Sequence, residues 1–195
     1  MRRDQVKELH YITPIRNVPS IMEYGIISYN RAQKLKHRSV AMQEIQSRRV
    51  DKKVPGGLAL HDYVNLYFDA HNPMLSRRRG QNDQICVLCV SPAVLDLPDV
   101  VISDHNAASG WARFLPSSVG MRAIDADLVY AEYWTHQNQF EEWDHKSRKY
   151  AEVLVPKRVG LEYILGAYIA NTKALETFQE LDLPLHAEIK TDMFF

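Results

Sequence analysis

The sequence predicts a single domain of the α+β class. Its 195 residues fit one domain, and a chain of this length buries roughly 70% of the surface that it exposes when unfolded. The hydrophobic share of 46% and the charged share of 25% are those of an ordinary globular protein. Short apolar runs alternate with amphipathic stretches, and neither a repeat nor a linker separates them. We therefore expect residues 1–195 to fold as one mixed domain of helices and strands.

Strands are predicted where β-branched and aromatic residues cluster between turn-forming residues. Pro14 ends the first of these runs and Pro156 ends a later one, because proline cannot donate to the ladder of a strand. Residues 85–90 are apolar on both faces, which is typical of a buried strand. In chain order, the predicted strands are residues 6–13, 26–28, 60–69, 85–90, 99–103, 149–156, 163–170 and 185–189.

Helices are predicted from capping residues and from apolar positions at helical spacing. Asn17 or Ser20 begins the first helix and Gly25 ends it. Asn72 followed by Pro73 begins a short one, because proline suits the first helical position. The other predicted helices lie within 29–53 with an apolar stripe at Ala41, Met42 and Ile45, around 107–114, and at 127–134, 137–148 and 172–181, the last capped by Asn171.

Several classes of protein are disfavoured by the composition. No apolar stretch reaches the roughly 18 residues of a membrane span, and residues 1–5 lack the apolar core of a signal peptide. Cys86 and Cys89 are the only cysteines, which suits a reducing cytoplasm. Their CxxC spacing places them on opposite faces of a strand, so we interpret them as small buried hydrophobic residues. The histidines show no metal-ligand spacing, and no metal is expected.

The charges are unevenly distributed. Residues 1–80 contain 15 basic and 7 acidic side chains, whereas residues 81–195 contain 9 and 17. This polarity indicates either a basic face for an anionic ligand or two halves that neutralise each other within one fold. The basic clusters at 31–38, 48–53 and 77–79 lie near Tyr29, Tyr63, Tyr67 and Phe68. Cations for phosphates and aromatic rings for bases suit single-stranded nucleic acid, although solvated faces and core aromatics are the alternative.

One carboxylate interrupts the predicted strand at 149–156. Glu152 lies between Ala151 and Val153 in an otherwise apolar run. An acid in that position is solvated at a cleft, paired with a cation, or held for chemistry. The spacing alone does not decide among these, because the ends of strands often carry solvated acids.

Several segments, taken in order, carry a family resemblance: residues 9–13 with 17–21 and 24–25, 46–49 with 54–57, 62–68, 72–75, 127–134 and 148–156. Each motif is weak alone, and it is their order and spacing that make the resemblance specific. Together these segments resemble one family, the DarT-type DNA ADP-ribosyltransferase toxins.

The resemblance implies an ADP-ribosyltransferase fold, in which two packed, mostly antiparallel sheets hold NAD in the cleft between them. It implies that Glu152 is the catalytic glutamate and that Arg48 or Arg49 is the active-site arginine. A fixed carboxylate would stabilise the positive charge that develops on the ribose when its bond to nicotinamide breaks. NAD is therefore expected as the co-substrate.

The resemblance also implies which residues contact NAD and the nucleic acid. The family usually reads Tyr-His-Ile-Thr where this chain reads His10-Tyr11-Ile12-Thr13, so Tyr11 stands at the position of the family's NAD-contacting histidine. The residues expected to contact NAD are His10, Tyr11, Thr13, Tyr63, Tyr67 and Phe68. Those expected to contact nucleic acid are Arg77, Arg78, Trp111, Arg113 and Phe114, although Trp111 and Phe114 serve equally well as core anchors for their loop.

The expected function is transfer of ADP-ribose from NAD to a base of single-stranded DNA, thymine or guanine. The protein would act as a cytoplasmic, monomeric toxin without a membrane partner, and a macrodomain antitoxin would reverse the modification. The alternatives are an ADP-ribosyltransferase that acts on RNA or protein, and a catalytically silent nucleic-acid-binding module.

Overall fold

The computed structural model describes residues 1–35 and 43–195. Within these ranges ten strands are present: β1 Leu9–Pro14, β2 Ile26–Ile27, β3 Tyr63–Tyr67, β4 Ile85–Val90, β5 Val101–Ser103, β6 Phe114–Pro116, β7 Glu152–Pro156, β8 Arg158–Val159, β9 Ile164–Ile169 and β10 Ala187–Ile189. The same ranges contain eight α-helices: α1 Val18–Tyr24, α2 Tyr29–Ala32, α3 Gln43–Val50, α4 Pro73–Arg77, α5 Ser117–Gly120, α6 Ala126–Val129, α7 Gln139–Arg148 and α8 Thr172–Gln179. The stripe expected at Ala41, Met42 and Ile45 lies outside what the structure describes.

The large sheet consists of two halves that meet at a single residue pair. Its strand order is β10-β9-β4-β1-β3-β7-β5-β6, antiparallel throughout except for the parallel pair of β9 and β10. β1 pairs with β4 along its whole length, but with β3 only where His10 faces Tyr67. Beyond that pair β1 and β3 separate, and both line a cleft. The expected α+β class, with mostly antiparallel strands around a cleft, is confirmed. Where two packed sheets were expected, the strands form this eight-stranded sheet and a separate two-stranded sheet of β2 and β8.

Local sequence signals account for the helix ends near the sheet. The Asn72 side chain accepts hydrogen bonds from the amides of Met74 and Leu75, at 2.9 and 3.2 Å. Asn171 caps α8 in the same way, because its side chain accepts from the Ala174 amide at 2.9 Å. Gly25 ends α1 at a φ of +76°, which favours glycine, and a Cβ there would clash with the carbonyl of Val159.

Two predicted helices are wrong. Residues 107–114 form turns that lead into β6, because Asp104 binds the backbone amide and the guanidinium of Arg113 and folds the segment back. The helix predicted at 127–134 ends at Val129. There the buried ammonium of Lys149 donates hydrogen bonds to the carbonyl oxygens of Val129 and Ala131, which hold the chain away from helical geometry.

The core follows the expected apolar runs. Every residue of β4 is buried, including both cysteines. Burial raises the pKa of the Cys86 thiol well above its usual range and that of Cys89 to about 12. Among the described residues no group of histidine, cysteine and acidic side chains could hold a metal ion. None of the helices in the described ranges is long and apolar enough to cross a membrane.

Phe68 belongs to this core. Its side chain is 1% exposed and packs in the main hydrophobic cluster, with the residue lying directly after β3. It does not line the cleft between β1 and β3. The side chain therefore contributes packing rather than a cleft contact.

We expect Phe68→Ala to lower the free energy of unfolding by about 3–5 kcal/mol, because it leaves a large cavity in a closely packed core. Urea unfolding followed by circular dichroism measures this loss. The control is Leu165→Ala on β9, whose side chain is exposed and whose truncation should change stability by no more than about 0.5 kcal/mol. Equal effects of the two changes would contradict the placement of Phe68 in the core.

Candidate active site

The cleft opens where β1 and β3 separate, and its cavity has a volume of about 560 Å³. The first residue of β7, the end of α3, the loop between β5 and β6, and α7 complete its walls. Segments distant in the sequence are thus brought around one space. This is the site to which we assign the candidate chemistry.

At the floor of the cleft, Glu152 forms a buried ion pair with Arg49. Glu152 is 1% exposed and Arg49 is 6% exposed. Nη1 of Arg49 lies 3.1 Å from both carboxylate oxygens, and Nη2 lies 3.1 Å from Oε2. The backbone N–H of Ala107 donates a further hydrogen bond to Oε1 at 3.2 Å. A forked guanidinium and an amide therefore fix the orientation of the carboxylate.

The electrostatics of the floor are dominated by this pair. Burial lowers the pKa of Arg49, but the charge and hydrogen bonds of Glu152 raise it more, so the net direction is upward. Burial, and then the positive charge of Arg49, lower the pKa of Lys52 and of His61. Arg49 thus remains charged and makes its surroundings positive.

Tyrosines line the cleft around the carboxylate. Burial raises the pKa of Tyr11 and of Tyr150 to about 12. Burial, followed by the negative charge of Glu152, raises the pKa of Tyr67 well above its usual range. The rings of Tyr67 and Tyr150 lie 6.4 Å apart between centroids, tilted by 56°. At neutral pH all three phenols are uncharged, so they offer ring faces and hydroxyl groups but no general base.

A second buried network positions the loop that carries the Ala107 amide. Asp104 accepts hydrogen bonds from the Arg113 amide at 2.9 Å, from Nε of Arg113 at 2.6 Å and from Nδ1 of His105 at 2.8 Å. Burial raises the pKa of Asp104, but the bonds from His105 and Arg113 lower it more, so the net direction is downward. The backbone N–H of Asn106 donates a hydrogen bond to the backbone carbonyl of Ser147 at 2.9 Å, which connects the loop to α7.

Lys149 holds the chain just before Glu152. Its ammonium is buried and donates to Oδ2 of Asp69 at 2.6 Å and to the carbonyls of Val129 and Ala131 at 2.9 and 2.7 Å. Burial lowers its pKa, while Asp69 raises it; the net direction is downward. Sequence reasoning missed the structural roles of Lys149 and Asp104. The signal that could have found them is that each is a charged residue at the edge of an apolar run.

The structure brings most of the expected site residues to the cleft and distinguishes the two arginines. Arg49 is buried against Glu152, whereas Arg48 is exposed and lines the wall. The expected residues that line the cleft are Tyr11, Thr13, Arg48, Arg49, Tyr63, Tyr67, Arg77, Arg78, Trp111 and Glu152.

Four expected residues lie elsewhere. His10 points to the other face of the sheet, where Nε2 lies 3.1 Å from Glu8. Phe68 is in the core, and Phe114 begins β6 and packs against a small buried cluster. The guanidinium of Arg113 is held by Asp104. We therefore leave these four out of the candidate site, since alternation along the strands and the packing of the loop turn them away from it.

We expect Arg49→Lys to lower the free energy of unfolding by about 1–3 kcal/mol, because a lysine cannot span both carboxylate oxygens and leaves Glu152 partly unsatisfied. Arg48→Lys, at the neighbouring exposed position, is the matched control and should cost less than about 0.5 kcal/mol. Urea titration of both variants makes the comparison. A cost at Arg48 as large as that at Arg49 would be inconsistent with the observed pairing.

Comparisons with known proteins agree on one family. Residues 10–195 match the family model described as ssDNA thymidine ADP-ribosyltransferase, DarT. A DNA ADP-ribosyl transferase–DNA ADP-ribosyl glycohydrolase fusion protein of Thermosipho africanus is 32% identical over 171 residues, which are 85% of this chain and 43% of that protein. This chain thus spans less than half the length of that curated relative.

Two solved structures are similar along almost the whole chain. The structure of Thermosipho africanus DarTG in complex with ADP-ribose has a TM-score of 0.85 and 27% identity, and covers 97% of this chain and 51% of that one. The structure of Thermus sp. 2.9 DarT in complex with ADP-ribosylated ssDNA has a TM-score of 0.80 and 26% identity. The match covers 98% of this chain and 97% of that one. The chain belongs to the DarT family of ssDNA thymidine ADP-ribosyltransferases.

Proposed function

We propose that this protein transfers the ADP-ribosyl group of NAD to a thymidine base in single-stranded DNA. The observation that carries the proposal is the buried Glu152 carboxylate, fixed by Arg49 at the floor of a cleft lined with cations and tyrosines. The chain belongs to a family whose description names this reaction, and that membership supports NAD as the donor and thymidine in single-stranded DNA as the acceptor. Within the proposal, residues 1–195 act as one catalytic domain.

The residues of the cleft fit NAD. A volume of about 560 Å³ lies in the range of small-molecule sites. We assign Arg48 to the pyrophosphate, Tyr11, Tyr63 and Tyr67 to ring stacking and hydroxyl contacts, and Glu152 to the ribose hydroxyls. Thr13 lies in the same wall, and we assign it a polar contact with the dinucleotide.

NAD supplies an electrophilic ribose carbon, whose bond to nicotinamide breaks as positive charge develops on the sugar. Glu152 stabilises that charge because its carboxylate is fixed in a water-poor site before the reaction begins. Arg49 and the Ala107 amide keep the carboxylate oriented. The acceptor base loses a proton in the transfer, and we assign its acceptance to Glu152.

Burial of the carboxylate favours an unpaired base as the acceptor. Glu152 is 1% exposed, so a base stacked within a duplex would not reach it. A single strand can turn one base into the cleft while its phosphates meet Arg77 and Arg78 at the rim. A relative from Thermus sp. 2.9 has been solved in complex with ADP-ribosylated ssDNA, which supports this choice of substrate.

We further propose that the protein is a monomeric, cytoplasmic toxin with an antitoxin that removes the modification. The support for the antitoxin is the relative in which a DNA ADP-ribosyl transferase is fused to a DNA ADP-ribosyl glycohydrolase. We assign the second activity to a macrodomain antitoxin.

The test is mass analysis of a mixed-sequence single-stranded oligonucleotide after incubation with NAD. We expect one ADP-ribosyl group on thymidine, and we expect Glu152→Gln to lower the rate by at least about 100-fold because the charged stabiliser is lost. Glu176→Gln, at an exposed position of α8, is the matched control and should react as the wild type does.

Undiminished transfer by Glu152→Gln, or unmodified DNA with folded protein, would refute the proposal. The same incubation with RNA and with a cell lysate tests the alternative acceptors. Nicotinamide release, followed without any acceptor, tests whether the protein is a silent binding module.

A further inference from the structure

Two tryptophans on different elements flank the mouth of the cleft. Trp111, in the loop between β5 and β6, is 73% exposed, and Trp143, on α7, is 56% exposed. Both line the same cavity as Glu152. Large aromatic surfaces facing solvent beside a ligand cleft mark a binding surface.

On α7, a neighbouring ring supports Trp143. Phe140 lies one turn earlier and is 76% exposed. Its ring meets that of Trp143 edge to face, with centroids 5.7 Å apart and planes at 82°. This arrangement orients the indole and leaves it open to solvent.

Both tryptophans sit on firmly anchored backbone. His145, on the opposite side of α7, is buried and binds the carbonyl of Leu128 at 2.9 Å. The Trp111 loop is held by Asp104, and Lys52 donates to the carbonyl of Ala107 at 3.3 Å. The bond from the Asn106 amide to the Ser147 carbonyl joins the two elements. The two indoles are therefore attached to the same scaffold that fixes Glu152.

The charges around these rings suit a polyanion. Lys146, one turn after Trp143, lines the cleft together with Arg48, Arg77 and Arg78. Glu152 is the one carboxylate in the described part of this lining, and Arg49 already neutralises it. The neighbouring acids of α7 are not part of the cleft wall.

We propose that Trp143, supported by Phe140, and Trp111 stack on the nucleotides that flank the target base of the DNA strand. The inference deepens the proposed function and rests on it. Stacking on a ring face is tolerant of sequence, so these contacts would set how many unpaired nucleotides the enzyme needs more than which ones. Lys146 would meet a phosphate of the same flanking segment.

The test is the affinity of the full chain for oligothymidylates of increasing length. Intrinsic tryptophan fluorescence measures binding, because a stacked base quenches the indole, and initial rates measure KM and kcat. We expect Trp143→Ala to weaken binding of a long oligonucleotide by roughly 10-fold or more and to raise its KM equally. At saturating DNA, kcat should stay within about twofold of the wild type.

Two variants and one side reaction serve as controls. Trp143→Phe keeps a ring and should restore most of the affinity. Tyr133→Ala removes an aromatic side chain that is 71% exposed but lies outside the cleft, and should leave DNA binding unchanged. Nicotinamide release without DNA should be the same in Tyr133→Ala as in the wild type, because the Tyr133 side chain lies outside the cleft.

If Trp143→Ala bound DNA with the affinity and the KM of the wild type, the inference would be overturned. The exposed tryptophan surface would then be assigned to binding a protein partner instead. An equal loss in Tyr133→Ala would also overturn the inference. The proposed function is tested separately, by whether the wild-type protein modifies DNA at all. Fluorescence quenching reports on the tryptophan surface whether or not transfer occurs.

Discussion

The buried ion pair between Arg49 and Glu152 is the interaction on which the rest of the structure depends. Removing two charges from water costs several kcal/mol per ion, so such a pair is stable only with good geometry and additional hydrogen bonds. Here a forked guanidinium contacts both carboxylate oxygens, and the backbone amide of Ala107 donates a further hydrogen bond to one of them. The partners are 103 residues apart, so the pair joins α3 to β7 across the cleft.

Two further buried ionic centres hold the segments that carry this pair. Asp104 fixes the loop that brings the Ala107 amide to Glu152, and Lys149 fixes the chain three residues before Glu152 itself. Both centres form charge-assisted bonds through one buried group, the carboxylate of Asp104 or the ammonium of Lys149. The site is therefore oriented before any ligand binds, as stabilisation of a developing charge requires. The same scaffold carries the exposed tryptophans at the mouth, which links the proposed chemistry to recognition of the strand.

The sequence predicted what depends on local signals and missed what depends on distant partners. The caps at Asn72 and Asn171 and the apolar strand at 85–90 follow from neighbouring residues, and the structure has them. The helices expected at 107–114 and 127–134 do not form as predicted because side chains outside these segments, those of Asp104 and Lys149, bind their backbone groups. Adjacent residues of a helix point about 100° apart, so only the docking of α3 decides which of its two arginines faces Glu152. Trp143 lies on α7, which is rich in charged residues, and no sequence pattern singled it out for the cleft.

A double-mutant cycle on Arg49 and Glu152 tests the central claim most directly. Arg49→Met, Glu152→Gln and the double variant are compared with the wild type by urea unfolding. Each single change strands a buried polar partner, so the double variant should be more stable than the two losses added together predict, with a coupling free energy of about 2–3 kcal/mol. A coupling below about 0.5 kcal/mol would contradict the account, because it would mean that the pair does not organise the cleft.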